Sequence, residues 1–450
     1  MDKSVENSVK WTTYSRVFAA VVSLVNLAVM VRLLDKADFG LMALAQFILG
    51  FMDLFLDMGI SSAILFYQNI TKREYSTLYW LNWGISIILF ILLCLFAPLM
   101  AAFYDEPRLT LVIQLLATIL LFSGLGRQYR TVLQKELNFR TMALGRMSGV
   151  GLSLIVGVGS ALAGFGVYSL VFAGLTKAAV SNIVYFIMGI RREPLLFHFN
   201  FQESQRFLRV GGWEVLGNLA NYFNRELDTL LIGKFLGAEA LGSYTLVKQL
   251  VKKPMTVLNP IVTQVATPYL AKVQAKGQEM RDNYLLTVQM VMGINVPIYL
   301  LLILLSYPVI YLYYGAEYTY LTPIAQVYAL YILFRVMGNP VGSLLVANGR
   351  TDLSFYWNLA MLIVYPLFIL VGIQGGIFGA SLSLLLMMIV LFVPGWYFLI
   401  RPLIGVSLKD YAATAVPQKK TYTRIVEGVR RILKKRSAGA KPGEHSTTVK

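Results

Sequence analysis

Few of the residue types that carry soluble chemistry are present in this 450-residue sequence. A single cysteine, Cys94, excludes a disulfide framework, and two histidines, His198 and His445, leave no histidine-based metal site to expect. Charged residues are only 14% of the chain, where a soluble domain carries roughly 25%, so water is not the main solvent. There is no P-loop and no nucleotide-binding segment, so no cofactor is expected and ATP-driven pumping by this chain alone is excluded. No connection between apolar runs is long enough to fold as a catalytic domain at the membrane surface. No cleavable signal is expected either: the first apolar run is too long for one and lacks a small-residue cleavage site.

What is present is hydrophobic: 57% of the residues, gathered into runs such as 83–103, 148–171 and 375–400. Each is about 20 residues or longer, enough to cross a hydrocarbon core of ~30 Å as helix. Counting runs broken by charged or Pro/Gly-rich connections predicts an all-α integral membrane protein of about twelve spans. They lie near 11–31, 41–66, 77–102, 109–125, 142–164 and 167–190, then 210–233, 243–269, 285–305, 322–346, 353–373 and 376–400.

The formal charge of +17 does not point to nucleic acid, because the cations sit in connections and in the tail rather than on one face. It is a topology signal. Alternate connections hold Lys72 and Arg73; Arg127, Arg130, Lys135 and Arg140; Arg191, Arg192, Arg206 and Arg209; Lys272, Lys276 and Arg281; and Arg350. Cation-rich short loops stay cytoplasmic, so a multi-pass protein of the inner (cytoplasmic) membrane is expected, with both termini on the cytoplasmic side. The Asn69-Ile70-Thr71 glycosylation sequon then falls on the cytoplasmic side and is discounted.

The two halves read as copies. Arg32-Leu33-Leu34 with Phe39-Gly40 aligns with Lys234-Phe235-Leu236 with Leu241-Gly242 at an offset of 202 (242 − 40), which also pairs Trp11 with Trp213 and Tyr67 with Tyr269. Later, Phe165-Gly166 aligns with Phe378-Gly379 at an offset of 213 (379 − 166), so the second half carries an insertion. Six spans per half make the repeats parallel, related by a pseudo-twofold axis along the membrane normal. The expected division is an N-terminal six-helix lobe over 1–203, a C-terminal six-helix lobe over 204–402 and a basic cytoplasmic tail over 403–450. Lys419, Lys420, Arg424, Arg430, Arg431, Lys434, Lys435 and Arg436 crowd the tail. Two readings fit it: a basic amphipathic helix on the anionic inner leaflet, or a solvated segment that enforces topology.

Ionisable groups within spans are costly and mark a bundle interior or a wet cavity. At about 100° per residue, Glu214, Asn218, Asn221, Arg225 and Asp228 fall on one stripe of span seven. Lys248, Lys252 and Asn259 share a face of span eight, Gln46, Asp53 and Asp57 one of span two, and Thr12, Arg16 and Ser23 one of span one. The repeat makes these helices equivalent in pairs, so four polar faces converge on a central cavity. Arg16, Arg225, Lys248, Lys252, Asn218 and Asn221 are the expected substrate-binding groups. Asp53, Asp57, Glu214, Glu226 and Asp228 are expected to serve proton or sodium coupling, or ion pairs that differ between two states. A structural alternative stands beside this: Arg225 and Asp228 at i, i+3 neutralise one another, and Lys252 and Lys253 snorkel to headgroups.

The segment Leu227-Asp228-Thr229-Leu230-Leu231-Ile232-Gly233-Lys234-Phe235-Leu236-Gly237, followed by Ala240-Leu241-Gly242-Ser243-Tyr244, resembles bacterial polysaccharide biosynthesis exporters of the oligosaccharide flippase group. Val31-Arg32-Leu33-Leu34 with Asp38-Phe39-Gly40 is similar to their opening segment, and the likeness runs from about Ser8 to Arg401. The resemblance implies two six-helix lobes arranged as a V that alternates its opening. It also implies a cargo, a polyprenyl-pyrophosphate-linked oligosaccharide moved outward for capsule, O-antigen or exopolysaccharide assembly. A polysaccharide polymerase and glycosyltransferases would be its working partners. A cation-coupled drug or small-metabolite antiporter of the same superfamily is the rival expectation. A membrane glycosyltransferase or polymerase is a second, which the short connections disfavour, and a scaffold without transport is a third.

Overall fold

The computed structural model describes residues 3–67, 69–272 and 277–416, with side chains placed for 10–67, 69–209, 218–256 and 277–416. The basic tail beyond 416 and the side chains of Glu214 and Asn259 lie outside the described residues. Every regular element within them is helical. In hydrocarbon each backbone N–H and C=O must be satisfied within its own segment, which a helix does and a lone strand does not.

The helices are α1 (Lys3–Leu33), α2 (Lys36–Asp57), α3 (Ile60–Phe66), α4 (Lys72–Tyr104), α5 (Arg108–Lys135), α6 (Phe139–Leu162), α7 (Val167–Ile190) and α8 (Phe201–Lys272). They are followed by α9 (Gly277–Leu304), α10 (Ser306–Tyr313), α11 (Thr322–Met337), α12 (Asn339–Ala347), α13 (Thr351–Gly372), α14 (Gly376–Gly395), α15 (Arg401–Ile404) and α16 (Leu408–Ala413). Ten stretches among the described residues are long and apolar enough to cross a membrane. Two of them, Asn218–Thr256 with 39 residues and Thr351–Ile404 with 54, have length for two crossings each. Each breaks at a left-handed glycine, Gly237 (φ 81°) and Gly376 (φ 64°) respectively, in accord with the twelve spans read from the sequence. The outer surface is correspondingly apolar, with Leu95, Ile155, Leu162, Leu304 and Val371 among its most exposed residues, whereas Ser76, Thr77, Asn82 and Ser86 of α4 are buried.

The chain forms two compact units. One gathers Met1–Lys248, Tyr307–Ile324 and Asn358–Ser383; the other gathers Gln249–Ser306, Ala325–Trp357 and Leu384–Lys450. In the first, α7 packs on α5 and α6, α5 on α4, and α1 on α6. In the second, Tyr284 and Met280 of α9 pack with Leu344 of α12, with Leu399 and Ile400, and with Tyr411 of α16.

Within the first unit the sequence repeat has a physical counterpart. A Cβ added at Gly40 would overlap the carbonyl oxygen of Ala238, and one added at Gly242 would overlap that of Lys36. Residues 36 and 238, like 40 and 242, are 202 apart. The two contacts share the offset of the expected repeat, and backbone meets backbone because neither helix has a side chain there.

The segment joining α7 to α8 is strapped onto the start of α4. Thr71 caps that helix in a reciprocal box with Glu74. Ser76 Oγ accepts from Leu196 N at 2.9 Å, and Trp80 Nε1 donates to Leu196 O at 2.9 Å. Thr77 Oγ1 donates to Glu203 Oε2 at 2.8 Å, His198 Nε2 lies 3.0 Å from Glu203 Oε1, and Arg206 pairs with Glu74 at 2.6 Å. His198 and Thr77 hold the Glu203 carboxyl below its ordinary range by hydrogen bonding to its ionised form.

Candidate functional site

The first unit contains three charged groups that the membrane helices position. The first depends on the break at Gly237, where φ 81° and ψ 177° interrupt α8. Residues beyond the break pack beside those before it. Lys248 Nζ donates to Asp228 Oδ1 at 2.8 Å, to Glu226 Oε2 at 2.9 Å and to Thr229 Oγ1 at 2.9 Å. Asp228 Oδ1 also accepts from Thr229 N at 2.9 Å, and its Oδ2 accepts from the Tyr244 hydroxyl at 2.6 Å. Asp228, Tyr244 and Lys248 are buried, and Glu226 is part-open. A lysine in this setting keeps its charge only because oxygens surround it.

The second group joins α2, α5 and α8. Arg127 of α5 pairs with Asp53 of α2. Ser61 donates to Asp57 Oδ1 at 2.5 Å, and Thr131 donates to Ser61 Oγ at 3.1 Å. Met58 (φ 41°) and Gly59 (φ 69°) turn the chain between α2 and α3 so that Asp57 and Ser61 face one another. The Tyr222 hydroxyl donates to Phe47 O at 2.5 Å and lies within the fields of Asp53, Arg225 and Glu226. Lys248 of span eight thus meets Asp228 of span seven, and Tyr222 of span seven reaches the backbone of span two, while Asp53 and Asp57 take partners on α5 and α3.

The third group is cationic. Arg146 stands on α6, Arg130 on α5 and Arg16 on α1, and both α1 and α5 pack on α6. Arg16 and Arg130 are exposed and Arg146 is half-buried. No carboxylate among the described residues is paired with any of the three. Guanidinium groups on neighbouring helices repel one another, and an anion with several oxygens relieves that repulsion while accepting bidentate hydrogen bonds.

The predicted residues thus divide. Lys248 is closed into an ion cluster with Glu226 and Asp228. Asp53 pairs with Arg127, and Asp57 with Ser61. Arg16 joins the cationic group, while Arg225, Asn218 and Asn221 are exposed on α8. Lys252 is half-buried in the second unit. Sequence reading missed Arg127, Arg130 and Arg146. The first two were placed in a connection, whereas α5 continues through them to Lys135. Arg146 had a usable signal, a cation one turn inside the predicted span 142–164.

Comparison with known proteins adds findings of three kinds: a family model, relatives and solved structures. A family model described as polysaccharide biosynthesis protein matches residues 29–323. The chain is 30% identical over 378 residues to the teichuronic acid biosynthesis protein TuaB of Bacillus subtilis, covering 83% of this chain and 77% of that one. It is also 30% identical over 403 residues to the lipopolysaccharide biosynthesis protein WzxC of Escherichia coli, covering 89% and 82%. Among solved structures, the lipid II flippase MurJ in an inward closed conformation superposes with a TM-score of 0.71 at 16% identity, over 90% of this chain and 89% of that one. An inward-facing multidrug transporter of the MATE family superposes at 0.66 with 13% identity, over 88% and 96%. At such identities the structural likeness concerns the fold alone.

Proposed function

The chain belongs to the polysaccharide biosynthesis protein family, and from that premise we propose that it is a flippase for a polyprenyl-pyrophosphate-linked oligosaccharide. It carries its cargo across the cytoplasmic membrane for surface polysaccharide assembly. What supports this reading is the placing of Arg16 on α1, Arg130 on α5 and Arg146 on α6, with α1 and α5 packed on α6 and none of the three paired to a carboxylate among the described residues. A pyrophosphate offers them oxygens with two or more negative charges, and in surroundings of low dielectric that attraction is strong. Arg225, exposed on α8 with Asn218 and Asn221, extends the polar path toward the sugars. Lys248 and Lys252 contribute less to the cargo in this reading, Lys248 because two carboxylates already hold it.

The lobes 1–203 and 204–402 would alternate access, with the lipid tail remaining in the bilayer. Asp53, through its pair with Arg127, and Asp57, through its hydrogen bond with Ser61, would exchange partners between states. Both termini face the cytoplasm, where glycosyltransferases make the cargo; a polymerase receives it on the opposite side. The tail beyond 416 would rest on anionic headgroups.

Depletion of the protein should cause a lipid-linked oligosaccharide to accumulate in the inner leaflet, read by extraction and mass spectrometry. Arg146→Ala combined with Arg16→Ala should reproduce that accumulation with normal membrane insertion, and the double lysine variant should recover part of the export. Unchanged polymer in the double alanine variant rejects the assigned residues. Drug sensitivity with intact polymer favours the antiporter.

A further inference from the structure

The surroundings of Lys248 go beyond what a cargo site requires. Three oxygens from one arm of α8, on Glu226, Asp228 and Thr229, converge at 2.8–2.9 Å on a nitrogen from the other arm. They are held in place by bonds of their own. Thr229 N fixes Asp228 Oδ1, and the Tyr244 hydroxyl fixes Oδ2, so the carboxylate does not depend on the lysine for its orientation. Two carboxylates and a hydroxyl set around one small monovalent cation, nine-tenths or more buried at Asp228 and Lys248, constitute an oxygen-lined cation site that is already filled.

We propose that Glu226, Asp228 and Thr229 form a monovalent-cation site whose occupant is built into the chain as the Lys248 ammonium. An ammonium and a potassium ion take oxygen ligands at similar distances, and sodium takes them somewhat closer, so the same oxygens can hold a free ion once the tether is removed. At the 202-residue offset, Asp228 and Lys248 correspond to Asn26 and Gln46. The first repeat carries two neutral amides where the second carries the carboxylate and its cation, so the charged site belongs to one half only. Tethering has a physical consequence. A free ion leaves at low concentration, whereas Lys248 stays at high effective concentration, so the bend at Gly237 remains closed whatever the sodium or potassium supply. The site is thereby insulated from the ion gradients across the membrane.

The test reads ion binding rather than export, so it stands apart from the cargo reading. Full-length protein in nanodiscs is melted in sodium, potassium, methylammonium or choline chloride at equal ionic strength. Wild type should show the same Tm in all four. Lys248→Ala should melt lower in choline and recover saturably, by about 3 °C or more, in at least one of the three small cations. Asp228→Asn added to Lys248→Ala should abolish the recovery. If Lys248→Ala yields no folded protein in choline, Lys248→Met is carried through the same series. Folded protein obtained only with a small cation supports the site, and failure in every salt counts against it. A Lys248→Ala Tm that is the same in all four salts overturns the proposal, as does a sodium- or potassium-specific shift in wild type that Asp228→Asn removes.

Discussion

Asp228 illustrates what a single residue is asked to do in this fold. Its carboxylate accepts from Lys248, Tyr244 and Thr229, and removal of a partner leaves a buried charge uncompensated. Asp228→Leu, which strips Lys248 of its buried counter-ion, should therefore cost about 3–5 kcal/mol, measured as a lowered midpoint in denaturant or heat. Tyr244→Phe removes one hydrogen bond to an ionised group and should cost about 1.5–3 kcal/mol. At the strap, the Glu203 carboxyl is held below its unfolded value of 4.5 by His198 and Thr77. A depressed carboxylate contributes stability that is present above the unfolded value and is lost as pH falls through the folded one. Protection of residues 195–200, taken relative to the unfolded chain at each pH, should accordingly fall below about pH 4.5, and Glu203→Gln should remove that dependence. Protection that stays constant in wild type down to pH 3 contradicts the assignment.

Helices in this protein meet where side chains are absent. The mated contacts of Gly40 with Ala238 and Gly242 with Lys36 put backbone against backbone. Gly40→Leu and Gly242→Leu must separate the two helices, and each should cost about 3 kcal/mol or more, at or beyond the upper end of ordinary overpacking. Gly84→Ala provides the contrast, since nothing lies within 4 Å of its added Cβ. It should be neutral or stabilising by about 0.5–1 kcal/mol through reduced backbone freedom. Thermal melts of the three variants check both statements, and equal losses at Gly40 and Gly84 would remove the crossing as an explanation. These two glycines were legible through a shared offset of 202, because both helices need a small residue at the same register.

At the scale of the whole molecule the prediction concerns orientation. With Cys94 replaced by serine, single cysteines introduced at Arg192 and Arg350 should react with a membrane-impermeant maleimide only after the inner face is opened. Those introduced at Asp105 and Glu317 should react in intact cells. The reverse pattern inverts the topology proposed here without altering the helices. The ten apolar stretches among the described residues were legible in the linear sequence, as were the breaks within the two that have length for two crossings, since both follow from the length of helix a bilayer demands.

Composition and order along the chain determined the solvent, the class of element, the repeat and which spans carry charge, because each is a local property of 20 or so residues. Tertiary structure alone decided which charges neutralise one another. Lys248 and Arg225 look alike in sequence, yet the bend at Gly237 carries Lys248 into the oxygens of Glu226 and Asp228 and leaves Arg225 exposed. Likewise Arg16, Arg130 and Arg146 stand on three separate helices, and only the packing of α1 and α5 on α6 makes those helices neighbours. Electrostatic pairing depends on distances of a few ångströms between segments far apart in the chain, and no periodicity records those distances.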